Sequence, residues 1–185
     1  MTRRFTSTHP STPLAKASIR VAVDSLVQGA LVELFNAHGV AVAPLPRTLV
    51  GSPGVPDISV IANFRQAGVG EGRLTLSMSS ELVDYMNGSA PTSVRLDRAR
   101  ELTNQLLGRI KNRLLPLGVR LEIGLLFLLD PKQLQHQLQD LSSLRAYEGR
   151  TLRGPVLVTI HGLPADATLA YVGAAAAPEG SMLWL

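Results

Sequence analysis

Apolar positions along this chain follow two rhythms, one with steps of three and four residues and one with steps of two. Between residues 14 and 38, Ile19, Val23, Leu26, Val27, Ala30 and Leu34 share one helical stripe, and Gly39 stands where a helix stops. The spacing predicts a long helix, preceded by a Ser-, Thr- and Pro-rich tail over residues 1–14. Pro44, Pro46, Pro53 and Pro56 make residues 40–57 extended or looped, with an edge strand at 40–43. Residues 58–65 and 72–78 read as two strands joined by the glycine-containing turn GVGEG. Ser79 or Ser80 can cap a short helix that ends at Gly88. A second long helix follows Pro91 and runs to about Leu117, where Gly118 stops it, and a strand follows over 119–129. Asp130 then caps an amphipathic helix over 130–147, with Leu134, Leu138 and Leu141 on one side. The last third contributes strands at GPVLVTIHG, ATLAYVG and SMLWL. Helices mixed with hairpin-like strand pairs predict the α+β class, with residues 15–185 forming one domain.

The second long helix carries the most unusual stretch, RELTNQLLGRIKNRL at 100–114. Ala99, Leu102, Leu106, Leu107, Ile110, Leu114 and Leu117 fall on one face, which must be the core side. Glu101, Asn104, Gly108 and Lys111 then fall opposite, with Glu101 and Asn104 adjacent on the surface. A glycine inside a helix costs about 1 kcal/mol relative to alanine. On an outward ridge it adds nothing to the core, but it lets another surface approach closely. The helix therefore presents an acid, an amide and a gap to something outside the protein. The plainer alternative is an ordinary solvated face with a tolerated glycine. The spacing E-x-x-N also recurs at Glu33 and Asn36, where Leu34 and Phe35 read as core and no exposed glycine follows. We read that copy as coincidence.

Composition narrows the function classes. The 185 residues suffice for one domain with a proper core, and 45% hydrophobic with 17% charged residues is globular composition. With no cysteine, disulfides, thiolate metal sites and cysteine nucleophiles are excluded, and a reducing compartment suits the chain. Apolar runs such as 123–129 are too short to span a bilayer, and no apolar segment follows Arg3 and Arg4. A cytoplasmic protein without membrane attachment is the expectation. The net charge is +4, yet the basic residues are dispersed and aromatics make up only 4%, so no nucleic-acid partner is expected. His9, His38, His136 and His161 lack metal-ligand spacing. GVGEG lies between strands rather than before a helix, and no serine sits in a G-x-S-x-G elbow. No self-sufficient hydrolase is visible.

In order and spacing, Glu101, Asn104, Gly108 and Leu114 resemble the signature helix of CheX-like chemotaxis phosphatases, relatives of the CheC proteins, whose pattern runs G-E-x-x-N-x-x-x-G-x-x-x-x-x-L. GRLTLSMSSELVDYMNG before that helix and LGVRLEIG after it resemble the same family, so the likeness spans about residues 15–130. It implies a mostly antiparallel sheet packed against the long N-terminal helix and the signature helix, and a homodimer formed through the sheets. It implies a phosphorylated response regulator of the CheY type as partner. Asn104 would orient the water that attacks the regulator's aspartyl phosphate, and Glu101 would pair with the regulator's lysine. Gly108 would clear space for the partner, with Lys111, Gln105 and Arg100 beside it in the contact. The chain itself would bind no cofactor, because the Mg2+ belongs to the regulator. One credible copy of the pattern makes the chain more similar to CheX than to CheC. It departs from the family at Arg100, where glycine is usual, and at Gln105, where methionine is frequent. It also has the 130–147 segment where a P-x-x-x-x-G segment is usual. These departures favour a CheX-like module that docks a regulator without hydrolysis, whereas retention of both Glu101 and Asn104 favours a phosphatase.

Overall fold

The apolar stripe of the first helix becomes α1, Val23–Asn36, which buries Val23, Val27, Ala30, Leu31, Leu34 and Phe35. The computed structural model describes residues 23–45, 56–88, 90–130, 132–134 and 144–163, so the expected start of this helix at Leu14 lies outside the described residues. The helix ends as its glycine predicts. Val40 N donates to Phe35 O at 2.9 Å and Gly39 N to Asn36 O at 3.0 Å, with Gly39 at φ 73°. This paired closure needs a left-handed residue, which glycine supplies without a Cβ penalty, and it makes His38 the capping residue.

A two-residue strand, β1 (Ala43–Pro44), stands at one edge of the sheet and shares only Ala43 with the expected 40–43. The predicted hairpin is β2 (Ile58–Gln66) and β3 (Gly70–Met78), in register from Ile58 opposite Met78 to Gln66 opposite Gly70. A short helix, α2 (Ser80–Asn87), follows; Ser79 Oγ accepts from Leu82 N at 3.2 Å and Gly88 ends it at φ 74°. The long helix α3 spans Thr92–Leu114 and tightens into a 3-10 turn at Leu115–Leu117. Arg95 Nε donates to Asp84 Oδ1 at 2.6 Å, tying the start of α3 to α2. Then come β4 (Leu121–Leu129), β5 (Arg145–Thr151) and β6 (Gly154–His161).

The six strands pair antiparallel throughout in the order β1-β5-β6-β3-β2-β4. This is the α+β architecture expected. Alternate residues of the strands, Ile58, Val60, Ala62 and Phe64 with Leu74, Leu76 and Met78, form one core cluster with the buried faces of α1 and α3. α3 packs against α1 on one side and against β2 and β4 on the other. That position fixes which of its faces can meet another molecule.

One expectation fails. Asp130 does cap a turn, with Gln133 N donating to Asp130 Oδ1 at 2.8 Å and Asp130 N donating to Gln133 Oε1 at 3.2 Å. Helix is described over 132–134, but it cannot run to 147, because Arg145–Thr151 are β5. RAYEGRT has no β-branched run to announce a strand. It becomes one because it is paired on both sides, by β6 and by β1. Residues 135–143 and the expected strands at ATLAYVG and SMLWL lie outside the described residues.

Candidate functional site

Sequence periodicity divides α3 into two faces, and the fold separates them. Ala99, Leu102, Thr103, Leu106, Leu107, Ile110 and Leu114 are buried. Thr103, absent from the expected core stripe, has its hydroxyl satisfied within the helix by Ala99 O at 2.8 Å. Glu101, Asn104 and Arg100 are exposed, and Gln105, Gly108 and Lys111 are half-buried.

These six residues do not form one hydrogen-bonded cluster. Glu101 and Gln105 are joined: Gln105 Nε2 donates to Glu101 Oε1 at 2.7 Å. Asn104 stands beside them with no hydrogen-bond partner for its amide among the described residues. Both its donors and its acceptor are therefore open to a ligand or a water. Arg100 turns back one turn, its Nη1 donating to Asp97 Oδ1 at 2.8 Å, so its guanidinium is already engaged. Lys111 has no ion-pair partner among the described residues. A Cβ added to Gly108 would meet nothing within 4 Å. No contact among the described residues requires that glycine, and without a Cβ the ridge is open there to close approach by another surface.

Two residues that sequence reasoning missed complete the arrangement. Gln105 Oε1 is 3.2 Å from His38 Nε2, and His38 Nδ1 is 3.0 Å from Arg98 Nη2. Glu101 is thus the end of a chain of side chains that reaches across to the end of α1. The only advance signal was Gly39, which places His38 at a helix terminus without saying what it faces.

The second E-x-x-N copy is occupied elsewhere. The Glu33 carboxylate pairs with the Arg113 guanidinium and lies 4.0 Å from Arg109 Nη1, both on α3. Among the described residues no group of His, Cys, Asp or Glu is arranged to hold a metal ion. The α3 ridge offers hydrogen bonds, one charge of each sign and a gap, which suits positioning rather than covalent chemistry.

Comparison with protein-family models and with curated proteins finds no match. Solved structures do match. The chemotaxis protein CheX from Vibrio vulnificus superposes with a TM-score of 0.61 at 13% identity, over 75% of this chain and 97% of that one. A CheC-like superfamily protein from Shewanella sp. PV-4 gives 0.61 at 15% identity, over 77% and 98%. The CheX–CheY–BeF3–Mg2+ complex from Borrelia burgdorferi gives 0.51 at 13% identity, over 75% and 94%. At such identities the likeness is one of fold, and the fold of this chain is CheX-like.

Proposed function

We propose that this protein docks a CheY-type response regulator on the outer ridge of α3 and speeds hydrolysis of the regulator's aspartyl phosphate. The observation that carries the reading is an exposed, unbonded amide at Asn104 beside a carboxylate that is held in place. A solved complex of CheX with CheY supplies the partner class for a protein of this fold. Hydrolysis of an acyl phosphate needs in-line placement of a water and stabilisation of charge, and the regulator brings its own Mg2+. An amide can accept a hydrogen bond from that water and donate one as well, which an ionised carboxylate cannot. Asn104 therefore orients the water. Glu101 uses one oxygen on Gln105 and keeps the other for the regulator's lysine. Gly108 admits the partner's surface, and Lys111 adds a positive charge beside it.

The same reading gives a homodimer. Among the described residues β4 is an outer strand paired with β2 alone, and it exposes Leu125 to 71% and Phe127 to 47%. An apolar edge with open N–H and C=O groups is completed by a second copy of itself. No helix among the described residues is long and apolar enough to cross a membrane, and the protein acts in the cytoplasm beside its regulator.

Decay of the phosphorylated regulator in Mg2+, with wild type against Asn104→Ala, tests the catalytic part. Faster decay with wild type alone supports it. The second reading is a docking module without hydrolysis, favoured by Arg100, whose long side chain lies next to Glu101 where a glycine would leave room. Binding by both proteins with no change in decay would select that reading instead.

A further inference from the structure

Glu101 is exposed, yet its carboxylate is held by Gln105, behind which stand His38 and then Arg98, and their chemistry runs in one direction. A guanidinium can only donate. Arg98 Nη2 lies 3.0 Å from His38 Nδ1, so Nδ1 accepts and carries no proton. The ring proton then sits on Nε2, which donates to Gln105 Oε1 at 3.2 Å. With its oxygen turned to His38, Gln105 can offer only its NH2 to Glu101, and it does so at 2.7 Å. Each link sets the sense of the next. If His38 carried its proton on Nδ1, Nε2 would accept instead. Gln105 would then turn over and aim its oxygen at the Glu101 carboxylate.

Two further features mark the arrangement as more than surface packing. His38 is the capping residue of α1, locked by the paired closure at Gly39. The relay is therefore anchored on a second helix and cannot follow the rotamers of α3 alone. Arg98 is half-buried, has no carboxylate partner among the described residues, and leaves its buried Nε without a hydrogen bond. An orphaned buried donor is costly, so Arg98 is not placed where its own hydrogen bonding would be best.

We propose that Arg98, His38 and Gln105 form a one-way hydrogen-bond relay that sets Glu101 in the orientation needed to receive the partner's cation, making them positioning residues of the docking site. The inference rests on the docking function proposed above. A glutamate free to rotate would lose its rotamer freedom on binding, and the relay removes that loss in advance. Freezing one such side chain is equivalent to about a three- to tenfold change in affinity.

The test is binding of wild type, Gln105→Met, His38→Phe and the double variant to a CheY-type regulator trapped with beryllofluoride and Mg2+. Dephosphorylation at saturating regulator and 15N NMR of the His38 ring are measured alongside. Each single variant is expected to raise Kd about three- to tenfold, and the double variant no more than either, because the residues act as one unit. The maximal rate should stay at the wild-type value, and the ring should carry its proton on Nε2. Unchanged Kd in the single variants, losses that multiply in the double, or a proton on Nδ1 would each overturn the relay. If wild type itself does not bind, the docking function fails and the relay's purpose fails with it, while the ring spectrum still reports separately whether the relay exists.

Discussion

The chain places the same tetrapeptide spacing on two helices and uses it in two ways. In α1 it is Glu33-Leu34-Phe35-Asn36, and in α3 it is Glu101-Leu102-Thr103-Asn104. In both, the two middle residues are buried, so helical geometry sends Glu and Asn outward. Each helix also has a glycine one turn away, Gly29 before Glu33 and Gly108 after Asn104. The difference lies in what stands opposite. A Cβ on Gly29 would come within 2.5 Å of Arg113 Nη1, and that same atom donates to Leu26 O at 3.2 Å. The glycine of α1 is thus a passage for an arginine that reaches Glu33, and acid and gap together fasten α3 to α1. On α3 the gap at Gly108 faces open space, and Asn104 has no partner among the described residues. Spacing alone does not make a site; what packs over it decides.

The comparison can be broken most sharply at the amides. Asn104→Ala should lower the rate of regulator dephosphorylation by about a hundredfold, read as phosphate loss in Mg2+, whereas Asn36→Ala should leave it unchanged. The acids come next. Glu101→Ala should weaken regulator binding by about tenfold, the scale of losing one charged contact at an interface. Glu33→Ala should leave binding as it is and lower unfolding stability by about 1 kcal/mol or less, since its carboxylate is largely exposed. The glycines should differ in sign. Gly108→Ala should stabilise the fold by about 1 kcal/mol while weakening the complex. Gly29→Ala should destabilise by about 1 kcal/mol or more, because Arg113 must move. Thermal melts beside titrations with the regulator separate the two.

The smallest effect belongs to the other end of α1, where Asp24 does for β5 what Glu33 does for α3. Asp24 Oδ1 accepts from Tyr147 OH at 2.7 Å and from Arg145 Nη1 at 3.2 Å. Burial first, and then the hydrogen bond and charge of Asp24, hold the Tyr147 hydroxyl well above the usual phenol range, against the opposing pull of Arg145. The folded state therefore keeps a proton that the unfolded chain releases. The stability linked to this proton is complete below about pH 10 and is lost as pH rises beyond it. Tyr147→Phe should abolish this alkaline decline and cost about 0.5–1 kcal/mol at neutral pH, measured as denaturant midpoints across that range.

Where signals are local, the sequence was enough. The caps at Ser79, Gly88 and Gly39 and the strands β2 and β3 were legible because serine, glycine and period-two alternation act within a few residues. The two faces of α3 were legible for the same reason, and with them the outward placement of Glu101, Asn104 and Gly108. β5 was not, because RAYEGRT becomes a strand only through neighbours on both sides. Nor were His38 and Arg98, which meet across a separation of 60 residues. Gln105 looked like an outward contact residue and a departure from a family pattern. That its side chain is bonded to Glu101 on one side and to His38 on the other was not legible.

One property of α3 reaches beyond any single variant. The stripe that anchors the helix and the ridge that faces outward share no residue. Positions 101, 104, 108 and 111 can therefore change without touching the core. The outward ridge is thus open to substitution, while selection for folding acts on a different set of codons.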